Sequence, residues 1–222
     1  MKNRFVPADQ ETAEDLQALL QRARRLDPDG MVRLRAFGDV LAVYVAPIFA
    51  GSLMDGGPTV LGLRTCQLAE PAELDSIVPI QAVLDRLARI NDQDTFGRNT
   101  FFVELPDSSR APWAGISPPR TGWEEIGSIS EPVLTKIARD GIAEVAASLP
   151  ESVGGPIAAR IRGEIWGRAV DLDSQVPTGA AFVAAGLGFL TENEEVGLYH
   201  AQGWIRLSSL HGHVLARAAT HR

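Results

Sequence analysis

Apolar residues recur every three or four positions in four stretches of the chain, a spacing that places them on one side of an α-helix. These stretches span residues 9–26, 79–90, 130–149 and 178–190. In the third, the predicted inner face consists of Val133, Leu134, Ile137, Ala138, Ile142, Val145 and Leu149. The fourth is apolar almost all round, which predicts a buried helix.

Between these helices, shorter runs alternate between apolar and polar residues, as half-buried β-strands do. Two longer runs predict hairpins: Gly30 to Val45, joined at Gly38-Asp39, and Gly203 to Ala216. Single strands are predicted at 59–67, 74–78, 101–105, 123–129 and 195–202. This mixture predicts an α+β fold, an antiparallel meander of hairpins with about four helices.

Two segments are less regular. Residues 106–122 contain four prolines, which exclude long helices or strands, and Trp113 in their middle predicts that this loop packs against other residues. Residues 156–172 fit either a helical face or a bent strand. For that second segment we predict a short helix that gives way to a strand from Ala169 to Leu172.

The length of the chain favours one domain. With 222 residues, the chain can form a single compact α+β domain over 1–222, because a single core stops growing only at about 250–300 residues. The alternative is two halves, 1–105 and 123–222, joined by the proline-rich loop 106–122.

A dipeptide precedes three of the predicted helices: Val6-Pro7, Val78-Pro79 and Val176-Pro177. An apolar residue there can pack on the first helical turn, and proline presets the backbone angle for a helix start. The two predicted hairpins also share an order of residues, in which glycine, a bulky residue, a β-branched residue, arginine and leucine follow one another. We therefore predict pseudo-symmetric repeats at the two ends of the chain.

The hairpin residues Val32-Arg33-Leu34-Arg35, Gly38-Asp39 and Gly203-Trp204-Ile205-Arg206-Leu207 resemble those of uncharacterised proteins from high-GC bacteria. The resemblance covers the two ends of the chain best. It implies no activity, ligand or cofactor.

Charge and hydropathy exclude some partners. The net charge is −7, whereas a nucleic-acid surface needs clustered lysine and arginine, so we predict no nucleic-acid partner. No apolar run approaches the ~18 residues of a membrane span, and the N-terminus is too polar for a signal peptide. We therefore predict a cytoplasmic protein without a membrane partner. The one cysteine, Cys66, cannot form an internal disulfide and is predicted to be buried.

Sequence motifs for catalysis are absent: the chain has no phosphate-binding loop, dinucleotide fingerprint, zinc-protease helix or nucleophile elbow. We therefore favour a protein that is not an enzyme and needs no cofactor. His211 and His213 form the one close histidine pair and are the candidate metal ligands. A polar hairpin turn explains the pair without a metal, and this is the interpretation we favour.

Arg33 and Arg206 occupy equivalent places in the two predicted hairpins. Arginine binds carboxylate or phosphate through two parallel hydrogen bonds, so the pair is a candidate anion site. The alternative is that both simply occupy the solvated face of a sheet. Trp113 and Trp204 are candidates for lining a pocket or an interface, where aromatic residues concentrate binding energy.

The sequence leaves three functions open. The favoured one is a non-enzymatic protein that binds another protein or a second copy of itself, as a homodimer, through an exposed sheet edge or the Trp113 loop. The second is a small-molecule module in which Arg33 and Arg206 hold an anionic ligand in a cleft between the repeated units. The third is a hydrolase without a recognisable motif.

Overall fold

The computed structural model describes residues 3–50, 57–91, 102–115, 117–149, 154–170 and 175–218. Within these residues the chain forms helices and antiparallel strands, so the predicted α+β class is confirmed. The chain divides into two units. The first comprises Met1–Val45 and Leu63–Ala114, and the second comprises Ala46–Gly62 and Gly115–Arg222.

The first unit begins with strand β1 (Arg4–Phe5), which pairs antiparallel with β4 (Val103–Glu104). Two residues are too few to produce an alternating pattern, and the sequence did not predict β1. Between these strands lie the remaining elements: α1 (Gln10–Leu26), β2 (Met31–Ile48), β3 (Thr59–Pro79) and α2 (Ile80–Asn91). The last residues of β2 (46–48) and the first residues of β3 (59–62) belong to the second unit.

Both helices of the first unit match their predictions. Asp9 caps α1, because its carboxylate accepts a hydrogen bond of 2.8 Å from the backbone N–H of Thr12. The predicted apolar sides are buried, at Ala13, Leu16, Leu19, Leu20 and Ala23 in α1 and at Ile80, Val83, Leu84 and Leu87 in α2.

β2 differs from the predicted pair of strands, because extended backbone continues from Met31 to Ile48 as one element. Its buried positions nevertheless change phase: even-numbered residues from 32 to 36 are buried, then odd-numbered residues from 41 to 45. Gly38 lies between them with φ of 63°, a left-handed conformation that glycine adopts without strain. We interpret this phase change as the predicted reversal at Gly38-Asp39.

In its described part, the second unit contains three α-helices and four further strands. They are β5 (Glu124–Ser130), α3 (Glu131–Ser148), α4 (Gly155–Trp166), α5 (Thr178–Leu187), β6 (Glu195–Ala201), β7 (Trp204–Ser209) and β8 (Gly212–Arg217). The predicted second hairpin is confirmed as β7 and β8, with Ser209 opposite Gly212. The sheet has the order β2-β3-β8-β7-β6-β5, so β5 is a terminal strand.

Two details of the second unit correct the sequence predictions. The buried side of α3 is formed by Leu134, Ala138 and Gly141, whereas Val133 and Ile142 are 46% and 51% exposed. These two residues flank the buried stripe, so the helix is rotated away from the predicted face.

The segment after α3 also differs in part from its prediction. Residues 155–166 form the predicted helix, but the strand after it is reduced to one bridge between Ala169 and Pro177. Residues 171–174, including the end of that predicted strand, lie outside the described residues. α5 ends at Leu187, before the predicted Leu190, because Gly188 adopts a left-handed φ of 70° and terminates the helix.

Each Val-Pro dipeptide leads from extended backbone into a helix, as predicted. Val6, Val78 and Val176 are buried, and α1, α2 and α5 begin within four residues of them. Pro7 and Pro177 each lie in an isolated antiparallel bridge. The first and last helices are both followed by antiparallel strands, so the order of elements repeats at the two ends of the chain.

Candidate functional site

Arg206 lies on the sheet face opposite the buried leucines of β6 and β7. Leu198 and Leu207 form one buried cross-strand pair, and the next pair, Tyr199 with Arg206, therefore points to the other face. The guanidinium carbon of Arg206 is 4.4 Å from the centroid of the Tyr199 ring. It is 4.7 Å from the centroid of the Trp123 ring. Both distances are within the range of cation–π attraction.

Local contacts fix both rings. The indole N–H of Trp123 donates a hydrogen bond of 3.1 Å to the carbonyl of Pro119. The Tyr199 ring lies along its own strand over Gly197, where an added Cβ would be 2.9 Å from Cε2 of Tyr199. A glycine at position 197 is therefore required for this orientation of the ring, and the aromatic pair is in place before any ligand binds.

The guanidinium group of Arg206 has no anionic partner among the described residues. Its Nε–H is buried and donates to no acceptor within the part of the chain that the structure describes. Burial lowers the pKa of Arg206, because it removes water from the charged group. Nearby, burial and then the charge of Arg206 lower the pKa of His213, whose Nδ1 is 3.0 Å from the Ser208 hydroxyl.

Arg33, the counterpart of Arg206 in the sequence, is fully engaged in the first unit. It donates two hydrogen bonds to the carboxylate of Asp75, of 2.7 and 2.8 Å, and a third of 3.1 Å to the carbonyl of Ala114. Arg35 contacts the same carboxylate at 3.1 Å. The hydrogen bonds that Arg33 donates to Asp75 raise the pKa of Arg33. This arginine therefore fastens the chain next to buried Trp113 rather than facing solvent.

The remaining predicted residues are also accounted for. Trp204 is buried at the start of β7. His211 is exposed in the turn between β7 and β8, and His213 follows in β8. Among the described residues, no group of three or more histidine, cysteine, aspartate or glutamate side chains could hold a metal ion.

A second candidate surface is the outer edge of β5. Its residues from Glu124 to Ser128 are exposed, and among the described strands it pairs with β6 alone. The register shifts between Glu125 and Gly127, which leaves Ile126 in a bulge with 50% of its surface exposed. α3 follows β5 directly and carries Val133 and Ile142 on its exposed side.

Two family models match the chain, one in each half. Residues 1–103 match the domain of unknown function DUF8010, and residues 118–221 match the domain of unknown function DUF8185. The similarity to uncharacterised families is thereby confirmed. A comparison with curated proteins gave no match.

The fold resembles that of DNA polymerase sliding clamps. The pol III beta subunit of Caulobacter crescentus is 12% identical, with a TM-score of 0.50 over 100% of this chain and 66% of that one. The sliding clamp of Pseudomonas aeruginosa is 15% identical, with a TM-score of 0.49 over 99% of this chain and 65% of that one. The chain thus spans just under two thirds of those structures, and at these identities the likeness concerns the fold alone. No helix in the described ranges is long and apolar enough to cross a membrane.

Proposed function

We propose that the chain is a non-enzymatic protein-binding module with a clamp-like fold, which associates with a second copy of itself through strand β5. The exposed outer edge of β5 carries this proposal. The likeness to sliding clamps supports an architecture suited to protein contacts. It is consistent with a cytoplasmic protein of two units, whose bounds are those given above rather than the halves 1–105 and 123–222.

A terminal strand presents backbone N–H and C=O groups that can pair with another strand. Two identical β5 strands are compatible with antiparallel pairing about Gly127. In that register Glu124 faces Ser130 of the second copy and Glu125 faces Ile129, so no two carboxylates lie opposite each other. The contact is self-complementary, as a twofold dimer requires.

Exposed apolar residues also lie on β5 and on the helix that follows it. Ile126 on β5 and Val133 and Ile142 on α3 are each about half exposed. Large apolar side chains that remain exposed near one another commonly mark interaction surfaces. Because α3 begins where β5 ends, a partner seated on the strand also approaches the start of the helix.

The test is the oligomeric state, measured by sedimentation velocity from micromolar to submillimolar concentration. We expect the wild-type chain to dimerise and the variant Ile126→Asp to remain monomeric. Phe37→Asp introduces the same type of change at a residue that is 82% exposed in the first unit, and it should leave the dimer intact. Both are surface substitutions, so the free energy of unfolding measured in urea should change by only about 0.5 kcal/mol. A wild-type monomer at every concentration would contradict the proposal.

Nucleic acid is not part of this proposal. The net charge of −7 disfavours a phosphate-binding surface, although the similar structures are subunits of DNA polymerases. A gel-shift assay with duplex DNA at low salt tests this point. Binding of DNA that weakens steeply as salt is added would contradict the exclusion of nucleic acid as a partner.

A further inference from the structure

We propose that Arg206, Trp123 and Tyr199 form a binding site for a small oxyanion, a carboxylate or a phosphate, on the second unit. The site adjoins strand β5, and Glu125 borders both, but its evidence is the set of contacts of Arg206 and does not depend on the self-association proposed above.

The first argument concerns charge. A partly buried cation is normally matched by a carboxylate, because removing a charge from water costs free energy that a partner must offset. Arg33 follows this rule through Asp75. For Arg206, the described residues offer two aromatic rings in place of an acid. An anionic ligand can therefore take the place that a carboxylate normally occupies beside such an arginine.

The second argument concerns geometry. With rings lying over the guanidinium and Nε buried, the two terminal Nη groups are the donors that remain for a partner. They present parallel N–H bonds, which fit the two oxygens of a carboxylate or phosphate and do not fit a spherical chloride ion equally well. The rings also hold the guanidinium plane in one orientation, so little side-chain entropy remains to be lost on binding.

The third argument concerns the neighbouring groups. His213 is held in its neutral form by burial and by Arg206, so it neither repels nor replaces the arginine. The acid beside Tyr199 on this face is its exposed cross-strand neighbour Glu125; Glu195 shares the face further along β6, where it accepts a hydrogen bond of 2.9 Å from Ser128. The Glu125 carboxylate therefore repels an incoming anion and competes with it for Arg206.

The experiment is a titration of the full chain with sodium phosphate and, separately, with sodium acetate, at constant ionic strength balanced by chloride. Binding is followed by the NMR signal of the Trp123 indole N–H, assigned from a Trp123→Phe variant. We expect a saturable shift, and the stronger of the two anions identifies phosphate or carboxylate as the natural ligand group. Arg206→Lys keeps the charge but loses the paired donors, and should weaken binding by at least about tenfold.

Two further variants make the result specific. Arg139→Gln removes an exposed arginine from α3 and should not change the affinity. Glu125→Gln should strengthen binding, since it removes the competing carboxylate while leaving Arg206 in place. The proposal would be overturned if wild type and Arg206→Lys bound the anions with equal affinity, or if neither anion shifted the indole signal. It would also be overturned if Glu125→Gln bound no more tightly than wild type.

Discussion

Gly141 and Trp166 are packed so closely that position 141 accommodates only a glycine. A Cβ added to Gly141 would lie 2.3 Å from Cζ3 of Trp166, well inside van der Waals contact. Trp166 in turn stacks on Phe182, with ring centroids 4.6 Å apart. One tryptophan thus joins α3, α4 and α5, and a glycine in the middle of α3 provides the space for it.

Gly141→Ala should therefore destabilise the protein although alanine favours helices. The gain in helix propensity is about 1 kcal/mol, whereas forcing a methyl group into a packed core costs about 1–3 kcal/mol and the bulky indole cannot easily move. Two indole atoms overlap the added Cβ, so we expect a cost of about 2–3 kcal/mol and a net fall of about 1–2 kcal/mol in the free energy of unfolding measured in urea. Gly155→Ala is the matched control, because nothing lies within 4 Å of its added Cβ. Equal stability of the two variants would contradict this account.

Asp75→Asn should weaken the first unit, because one carboxylate neutralises both Arg33 and Arg35. The groups are partly exposed, so we expect a loss of about 1 kcal/mol in the free energy of unfolding rather than the larger value of a buried pair. The loss should shrink in high salt, where the wild-type ion pairs are screened. Asp85→Asn, which removes an exposed carboxylate that accepts a hydrogen bond from Gln81, serves as the control and should have little effect.

Cys66 should react slowly in the folded protein. Cys66 is partly rather than fully buried, and the loss of water around the thiol raises its pKa to about 11. At pH 8 the reactive thiolate would be roughly 0.1% of the total, compared with roughly a quarter for an ordinary cysteine. Reaction with Ellman's reagent should thus be about two orders of magnitude slower than in guanidinium-unfolded protein. A native rate equal to the unfolded rate would show that the thiol is not protected.

The stability of the second unit should fall on mild acidification because of His213. Its pKa in the folded state lies below the ordinary value of 6.5, so the unfolded state binds the proton more readily. The stabilisation that neutral His213 gives the folded state is therefore complete above pH 6.5. It is lost as the pH falls through the lower pKa of the folded state. His213→Gln should flatten this part of the stability profile. In an NMR titration, Arg206→Gln should raise the pKa of His213, and an unchanged value would rule out the electrostatic contribution of Arg206.

Local patterns predicted most of the elements. The helices were found because an apolar stripe repeats over many residues and needs no knowledge of distant contacts. β1 was missed because two residues have no period. The buried side of α3 was misjudged because Gly141, which lies on it, carries no apolar side chain in the sequence. Its partner Trp166 lies on another helix, so only the tertiary structure reveals why the glycine is there.

The candidate site was predicted in part. The repeat between the hairpins drew attention to Arg33 and Arg206, but equivalent positions in sequence have different partners in the structure. Asp75 lies beside Arg33, whereas Tyr199 and Trp123 lie beside Arg206. Tyr199 lies in β6 and Trp123 directly precedes β5, so their approach depends on the register of these two strands, which no local pattern fixes.

The segment Ala46–Gly62 belongs to the second unit, although it is encoded within the first half of the chain. On the ribosome it emerges long before β8, which neighbours β3 in the finished sheet. The nascent protein must therefore carry an open sheet edge until β8 has been made. For the same reason, separating the chain between residues 103 and 118 would leave both pieces with bare edges and a tendency to aggregate.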